Sequence, residues 1–310
     1  FGQCDRVSVL RDGRMVSTRS IAEANVQQLV NDMAGREVDI LYPPKAENLQ
    51  RTDDNVSLEV QGLTDAAGRF QNVNFKLYKG EILGFAGLLG AGRSEIMQGL
   101  TGLRAMSSGK VLFHGKNILG KSTAAIFQDG LVMLPEDRKK QGLVLDMDIE
   151  MNTSAAYLQQ ITRGGMIQRG KERQQAKEIV KAMNVRCTGI HQIVRSLSGG
   201  NQQKVLLAKV LAKRPDVVIM DEPTRGVDVG AKAEIHRLLR QLADEGVSVI
   251  MVSSELNEVM GMSDRVIMID SSGCLVGDVM GENINSDHIM YYISDAYKYQ
   301  EENNEVTEHE

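Results

Sequence analysis

The sequence has 310 residues, which allows one large domain with appendages or two small domains. Hydrophobic residues make up 42% and charged residues 25% of it, values ordinary for a globular protein, and the net charge of -5 argues against nucleic acid as the main partner. Its three cysteines, Cys4, Cys187 and Cys274, lie too far apart for a zinc site or a disulfide framework, and no apolar run reaches the ~18 residues needed to cross a bilayer.

An internal repeat is the first feature along the chain. Residues 5–13 and residues 264–269 share the pattern Asp-Arg-Val followed by apolar residues, and a glycine turn follows each stretch. Both predict a strand, a turn and a second strand, and an amphipathic helix is predicted afterwards, over 25–33 in the first copy and 285–294 in the second. The copies lie about 260 residues apart, which is one domain length.

The repeat predicts the domain organisation. We expect residues 1–38 to be the C-terminal remnant of a preceding copy of the domain, because they repeat the pattern found near the end of the chain. The absence of an initiator methionine and of a signal peptide agrees with a piece of a longer protein. Residues 39–55, which contain Pro43-Pro44 and a polar run, are predicted to be a linker. The second domain is expected over 56–298, and the polar segment 299–310 is predicted to be a disordered tail.

A phosphate-binding loop is predicted after the apolar strand pattern of residues 81–86. The next residues follow the pattern G-x-x-x-x-G-x-S and lead into a predicted helix, with Arg93 where a lysine is usual. Glycines allow backbone N–H groups to face a phosphate, and the helix N-terminus adds a positive dipole end. The candidate nucleotide-binding residues are Gly87, Gly90, Ala91, Gly92, Arg93, Ser94 and Glu95, and Ser94 is also a candidate magnesium ligand.

Two carboxylates follow a second apolar run. Residues 217–220, which follow Asp216, have the continuous apolar pattern of a central parallel strand, and Asp221 and Glu222 come at its end. Ligands of open α/β sheets bind at the carboxyl ends of the strands. We therefore expect Asp221 to bind Mg²⁺, and Glu222 to orient or deprotonate the water that attacks a terminal phosphate.

Residues 196–204 read Ser-Leu-Ser-Gly-Gly-Asn-Gln-Gln-Lys and precede a helix predicted to run to about Lys213. A serine hydroxyl and glycine N–H groups at a helix N-terminus are suited to binding an anion. Between the phosphate loop and this motif, residues 142–195 have helical character, with apolar spacing typical of a helix over 172–183.

These motifs together resemble the ABC ATPase family, and most of all the second half of the duplicated ATP-binding subunits of bacterial sugar importers of the ribose, galactoside and arabinose kind. Residues 90–95, 135–139, 197–204 and 221–228 carry the resemblance, which extends over about 56–295. It implies an α/β fold of the P-loop NTPase, ABC type. This fold has a parallel core sheet, an antiparallel β subdomain and a helical subdomain at about 142–195.

The resemblance also implies roles for further residues. In this family two domains face each other, and the signature of one completes the ATP site of the other. The signature residues here are Leu197, Ser198, Gly199, Gly200, Asn201 and Gln202, and Asp228 is the residue of the D-loop. Glu136 takes the position of a nucleotide-site glutamine, and Ser254 takes that of a catalytic histidine, for which no other histidine lies near enough in sequence.

The expected function is that of the C-terminal half of an ATP-binding and ATP-hydrolysing subunit for import of a sugar or related solute. The expected cofactors are ATP and Mg²⁺, and the catalytic candidates are Glu222 and Ser254. Because Arg93, Glu136 and Ser254 depart from the family pattern, we expect this half alone to bind nucleotide weakly and to hydrolyse it slowly.

The expected partners are a preceding ABC domain or a second copy, a transmembrane permease and, indirectly, an external binding protein. Nucleic acid is not expected, and the location implied is the cytoplasmic side of the bacterial inner membrane. Two alternatives stay open: a non-hydrolytic regulatory or scaffold half, and a soluble twin ABC ATPase acting on ribosomes or DNA. The sequence does not identify the solute.

Overall fold

The computed structural model describes residues 4–11, 14–34, 42–46 and 49–295 of the chain. The predicted boundary at residue 38 and the predicted tail 299–310 lie outside these residues. The strands are β1 Arg6–Arg11, β2 Arg14–Ser20, β3 Val56–Asp65, β4 Val73–Tyr78, β5 Ile82–Gly87, β6 Met106–Phe113, β7 Lys116–Asn117, β8 Leu131–Leu134, β9 Thr162–Arg163, β10 Met166–Ile167, β11 Val217–Asp221, β12 Ser248–Val252, β13 Arg265–Ile269 and β14 Leu275–Met280. The helices are α1 Val26–Ala34, α2 Arg93–Leu100, α3 Thr123–Asp129, α4 Ile149–Ser154, α5 Leu158–Ile161, α6 Arg169–Ala182, α7 Gly199–Leu211, α8 Val229–Asp244, α9 Leu256–Met262 and α10 Ser286–Ile293.

The central sheet has the strand order β14-β13-β5-β12-β11-β8. The five strands from β13 to β8 are parallel, and β14 pairs with β13 in the antiparallel sense at the edge. Every residue of β11, β12 and β13 is buried, which agrees with the continuous apolar pattern of strands covered on both faces. The carboxyl ends of β5, β12 and β11 therefore lie side by side at one edge of the sheet.

A second sheet, of order β4-β3-β6-β7, is entirely antiparallel. It packs on the core sheet through apolar side chains, among them Phe75 of β4 and Phe85 of β5, whose rings meet edge to face with centroids 5.2 Å apart. A parallel core sheet with an antiparallel β subdomain confirms the predicted fold class.

The segment between β8 and α7 contains α4, α5 and α6, together with the short antiparallel ribbon β9–β10, which the sequence did not predict. The helix expected over 172–183 begins earlier, at Arg169, and ends at Ala182. Helix α4 contacts both α6 and α7, so this helical region lies against the helix that follows the signature motif. Within the part of the chain that the structure describes, no helix combines the length and apolar character needed to cross a bilayer.

The two copies of the repeat have the same local structure. Each consists of an antiparallel hairpin, a short 3-10 turn and a helix, β1–β2–α1 in the first copy and β13–β14–α10 in the second. Even the irregularity in strand pairing is shared, because it falls between Val9 and Leu10 in the first hairpin and between Met268 and Ile269 in the second.

The copies differ in what surrounds their shared Asp-Arg pair. Asp264 and Arg265 are buried, and Asp264 accepts hydrogen bonds from Arg240 Nη1 (2.9 Å), while Arg265 Nε donates to Glu81 (2.9 Å). The corresponding residues of the first copy, Asp5 and Arg6, are exposed. Among the described residues, the same sequence pattern is therefore built into a charged cluster in the second copy and not in the first.

The segment before the domain lies against this charged cluster. The backbone N–H of Ala46 donates to Asp264 Oδ1 (3.0 Å), and Arg51 Nε donates to Glu81 Oε1 (3.2 Å). Farther toward the N-terminus, the Tyr42 ring stacks on His236 of α8 with centroids 5.2 Å apart. The described part of the predicted linker is thus attached to the surface of the domain at several points.

Candidate nucleotide-binding site

The phosphate loop connects β5 to α2 at the carboxyl edge of the core sheet. Gly90 (φ +86°) and Gly92 (φ +88°) adopt left-handed backbone conformations that residues with a Cβ rarely take. A Cβ on Gly87 would lie 3.0 Å from the carbonyl oxygen of Ile269, so the neighbouring strand also leaves no room there. Leu88, Leu89 and Gly90 are exposed, whereas the loop from Ala91 to Arg93 is buried.

The side chain of Arg93 does not extend freely from this loop. It is only 8% exposed, and its Nη1 donates a hydrogen bond to the carbonyl oxygen of Ser253, just after β12 (2.7 Å). Burial lowers the pKa of Arg93, and the charges of Glu222 and Asp221 act in the opposite direction. The arginine that replaces the expected lysine is therefore engaged with a strand end of its own domain.

The structure brings together Ser94 and Asp221, the two candidate magnesium ligands. Ser94 Oγ donates to Asp221 Oδ1 (3.1 Å), and Asp221 is 2% exposed. Burial raises the pKa of Asp221 to about 6, with Ser94 lowering it and the Glu222 charge raising it further. A hydroxyl and a poorly compensated buried carboxylate are oxygen donors of the kind that Mg²⁺ binds, so the pair fits this ion.

Glu222 adopts an unusual backbone conformation for a residue with a side chain, with φ +52°. Its N–H donates to Val252 O (2.8 Å), and Ser254 Oγ donates to its carboxylate Oε2 (3.1 Å). Burial raises the pKa of Glu222, and the hydrogen bonds from Ser254 oppose that rise. Ser254, at the position of the family's histidine, thus orients the carboxylate that is the candidate general base.

A buried carboxylate that the sequence pattern did not indicate lies next to these residues. Glu258 of α9 accepts hydrogen bonds from Thr224 Oγ1 (2.7 Å) and Ser253 Oγ (2.5 Å), and His236 Nε2 lies 2.7 Å from its Oε1. Burial acts to raise the pKa of Glu258, but the hydrogen bonds from His236, Ser253 and Thr224 outweigh it, so the pKa is lowered. The spacing along the chain gave no signal for this cluster, because its members come from four separate segments.

Glu136, which was expected to contact nucleotide, has a different neighbour in this structure. It forms an ion pair with Arg225, in the loop that follows the acid pair. Arg138, two residues after Glu136, donates to the carbonyl oxygens of Arg225 (2.6 Å) and Gly226 (3.2 Å), so the loops after β8 and β11 are joined. Among the described residues, no hydrogen bond connects Glu136 with the phosphate loop, and a nucleotide contact for it stays a prediction.

The signature motif forms the start of α7. Ser198 is its N-cap, and its Oγ accepts a hydrogen bond from Asn201 Nδ2 (2.9 Å). The two glycines are required by close contacts: a Cβ on Gly199 would lie 3.0 Å from Gly226 O, and one on Gly200 would lie 2.5 Å from the Cβ of Ala231. The motif therefore packs against the start of α8.

Three other residues of the predicted signature and D-loop have structural roles here. Gln202 is buried and its Nε2 donates to the carbonyl oxygens of Leu197 (3.2 Å) and Val194 (3.3 Å), and its role as a signature residue stays a prediction. Leu197 is 8% exposed and belongs to a core cluster. Asp228 caps α8 by accepting a hydrogen bond from the N–H of Ala231 (2.9 Å).

Comparison with known proteins agrees with this geometry. The sequence profile of the family described as "ABC transporter" matches residues 70–225. A ribose import ATP-binding protein of Ruegeria sp. (strain TM1040) is 46% identical over 295 residues, which cover 95% of this chain and 57% of that protein. A ribose import ATP-binding protein of Bacillus cereus is 44% identical over 269 residues, covering 87% of this chain and 53% of that protein. The chain thus spans little more than half the length of these curated relatives.

Solved structures share the fold. An ATP-binding cassette of an ABC transporter in its ADP conformation superposes with a TM-score of 0.63 at 21% identity, covering 78% of this chain and 95% of that one. A dimeric cassette in a post-hydrolysis state bound to ADP and Pi gives a TM-score of 0.62 at 22% identity, covering 72% of this chain and 98% of that one. At this level of identity the similarity shows a shared fold and no more.

Proposed function

This chain belongs to the ABC transporter family, and from that premise we propose that it binds and hydrolyses ATP to drive import of a sugar or related small solute through a membrane permease. The observation that carries the proposal is the convergence of Ser94, Asp221 and Glu222 at one edge of the sheet, beside the phosphate loop. A hydroxyl, a magnesium-binding carboxylate and a raised-pKa carboxylate are what phosphoryl transfer to water needs.

Each group has a distinct part in the proposed reaction. The N–H groups of the phosphate loop and of the start of α2 bind the phosphates of ATP. A Mg²⁺ ion bound by Ser94 and Asp221 would offset the negative charge of the terminal phosphates. Glu222 orients the attacking water and accepts its proton, and Ser254 fixes the carboxylate in place through the 3.1 Å hydrogen bond.

The chain's own site is proposed to be the weaker half of an asymmetric pair. Arg93 donates a hydrogen bond to the carbonyl oxygen of Ser253, and Glu136 forms an ion pair with Arg225. Each side chain would have to break this interaction before it could contact a phosphate. The signature, in contrast, has its capping serine and both glycines in place at the start of α7. We propose that this signature completes an ATP site held by a partner domain.

A preceding ABC domain is the proposed partner. Its end would correspond to residues 1–38, because β1–β2–α1 repeats the structure of β13–β14–α10, including the same pairing irregularity. The names of the ribose import relatives, which are longer than this chain, support a role in solute import. A permease, an external binding protein and a place at the cytoplasmic face of the membrane follow from that role as proposals.

The experiment measures ATP turnover by the chain alone and after mixing with a separately produced preceding domain. Slow turnover alone and a large increase on mixing are expected, and Glu222→Gln should remove the turnover of the chain alone. Glu245→Gln, a change of an exposed glutamate at the C-terminal end of α8, is the matched control and should have no effect. Fast turnover by the chain alone would contradict the proposed asymmetry.

One alternative has an observation in its favour. The hydrogen bond from Arg93 to the carbonyl oxygen of Ser253 is also compatible with a regulatory half that binds nucleotide without hydrolysing it. The two functions differ in one outcome: if Glu222→Gln leaves turnover unchanged both alone and in the mixture while ATP still binds, this half is regulatory.

A further inference from the structure

We propose that Tyr42, His236 and Glu258 form a relay through which the segment preceding the domain sets the position of the catalytic loops. This inference rests on the proposed function, because it assigns positioning residues to the same ATP site. None of the three touches the reacting atoms, so they are positioning residues and not catalytic ones.

Glu258 is the centre of the relay because it contacts the two loops that flank the catalytic residues. Thr224, which donates to its Oε1 (2.7 Å), lies two residues after Glu222. Ser253, which donates to its Oε2 (2.5 Å), comes directly before Ser254. A single buried carboxylate, 2% exposed, therefore holds both loops through hydrogen bonds.

The same loop also reaches Arg93. The carbonyl oxygen of Ser253 accepts the hydrogen bond from Arg93 Nη1 (2.7 Å), while the hydroxyl of Ser253 donates to Glu258. A displacement of Ser253 would consequently move the guanidinium in the phosphate loop and the Ser254–Glu222 hydrogen bond together. Three elements of the site thus depend on the position of one carboxylate.

His236 connects this carboxylate to the preceding segment. The imidazole of His236 is 1% exposed, and its Nε2 lies 2.7 Å from Glu258. The Tyr42 ring stacks on it at an interplanar angle of 29° and occupies the space over Gly261 of α9, where a Cβ would lie 2.4 Å from the ring. Tyr42 therefore packs between α8 and α9, the two helices that carry the relay.

The preceding segment is attached closely enough to transmit its position. Four residues after Tyr42, the N–H of Ala46 donates to Asp264. On the other side of Tyr42, α1 of the first repeat unit contacts α8. A movement of the preceding unit would displace the Tyr42 ring relative to His236, and the relay would pass this displacement to the loops carrying Glu222 and Ser254.

The test compares two variants that displace the ring in different ways. Tyr42→Ala removes it, and Gly261→Ala pushes it away while leaving Tyr42 intact. Tyr42→Phe keeps the stacked ring, and Tyr78→Ala removes a ring that lies against Arg265, outside the relay. For each, the kcat and the Kd for Mg·ATP are measured, and amide hydrogen exchange is followed over residues 222–226 and 253–258 without nucleotide.

We expect Tyr42→Ala and Gly261→Ala to lower kcat by about tenfold with much less change in Kd, because the loops are misplaced and the phosphate loop is intact. Both should speed exchange in the two loops, while Tyr42→Phe and Tyr78→Ala stay close to the parent chain. The relay would be overturned if Tyr42→Ala left hydrogen exchange in the two loops unchanged, or if Tyr42→Phe lowered kcat and sped exchange as much as Tyr42→Ala does. If the parent chain fails to bind Mg·ATP, the proposed function is wrong, and the exchange data still decide the relay.

Discussion

Arg93 illustrates how the surroundings of one residue decide its function. Its guanidinium is planar and forked, and it lies buried against the carbonyl oxygen of Ser253 instead of projecting toward the loop opening. A lysine has a single rotatable ammonium group on a thinner stem, so it can reach a phosphate more easily from the same position. The identity of this residue therefore bears directly on nucleotide affinity.

We expect Arg93→Lys to raise the affinity for Mg·ATP by about tenfold, which is about 1.4 kcal/mol. Equilibrium titration with a fluorescent ATP analogue measures the change. Arg163→Lys, at an exposed position in the β9–β10 ribbon, is the control and should leave the affinity as it is. An unchanged or weaker affinity in Arg93→Lys would mean that Arg93 does not limit binding.

Asp221 makes the stability of the protein depend on pH when neither metal nor nucleotide is bound. Burial raises its pKa from 3.8 to about 6, so the folded protein binds this proton more tightly than the unfolded chain. Stability must then fall as the pH rises from about 4 through 6, and the full penalty is present above pH 7.

Asp221→Asn removes this penalty, and we expect it to stabilise the metal-free protein at pH 7.5 by about 2 kcal/mol. At about pH 3.5 the wild-type carboxyl is mostly protonated in the folded and the unfolded chain alike, so the difference should nearly vanish. Urea unfolding at both pH values in the presence of a chelator measures it. Asp146→Asn, at an exposed ion pair with Arg195, should show no such pH-dependent gain.

At the scale of elements, the start of α7 depends on its contact with α8. A Cβ added to Gly200 would lie 2.5 Å from the Cβ of Ala231. Both residues are in the first turn of a helix, so relieving this clash would require one helix start to move away from the other. The signature motif is therefore positioned by the same helix whose N-cap is the D-loop residue Asp228.

We expect Gly200→Ala to displace the start of α7. The increase in ATP turnover that follows mixing of this chain with the preceding domain should then be mostly lost. The affinity of the chain for its own Mg·ATP should change little, since the phosphate loop is on another element. Gly170→Ala is the matched control, because Gly170 is also in the first turn of a helix and has open space around it. If Gly200→Ala loses its affinity for Mg·ATP as well as the stimulation on mixing, the substitution has unfolded the domain and the interpretation is wrong.

The sequence allowed the elements to be predicted best where a local pattern sufficed. The buried strand β11 and the loop before α2 follow from a continuous apolar run and from glycine spacing, and the two residues singled out as magnesium ligands, Ser94 and Asp221, lie within hydrogen-bonding distance of each other. The ribbon β9–β10 escaped prediction because each of its strands has only two residues. Domain boundaries stay predictions.

The rest of the site could not be predicted because it depends on contacts between distant segments. Glu258 interrupts the apolar positions of a short helix, and its partner His236 lies on the helix before. The ion pair of Glu136 with Arg225 could not be predicted from the sequence, because it depends on β8 lying next to β11. For the same reason, the inward orientation of Gln202 is visible only when the carbonyl of Val194 is in place.

At the scale of the whole molecule, the repeat provides two copies of one motif in two environments. In the second copy, the carboxylate of Asp264 accepts hydrogen bonds from Arg240, from the N–H of Ile82 (2.9 Å) and from the N–H of Ala46. It thereby joins α8, β5 and the segment that precedes the domain. In the first copy, Asp5 is exposed, and within the part of the chain that the structure describes the same pattern forms no such junction.

This contrast predicts that the same substitution has unequal effects on stability at the two equivalent positions. Asp264→Asn removes the buried charge partner of the Arg240 guanidinium and leaves it the exposed Asp244, and we expect a loss of about 3 kcal/mol of stability. Asp5→Asn should change stability by less than about 0.5 kcal/mol, because an exposed side chain loses little. Urea unfolding of both variants measures the difference. If the first unit belongs to a preceding domain, Asp5→Asn should become costly once that domain supplies the buried partners that Asp264 already has, and equal small effects in both settings would contradict the duplication.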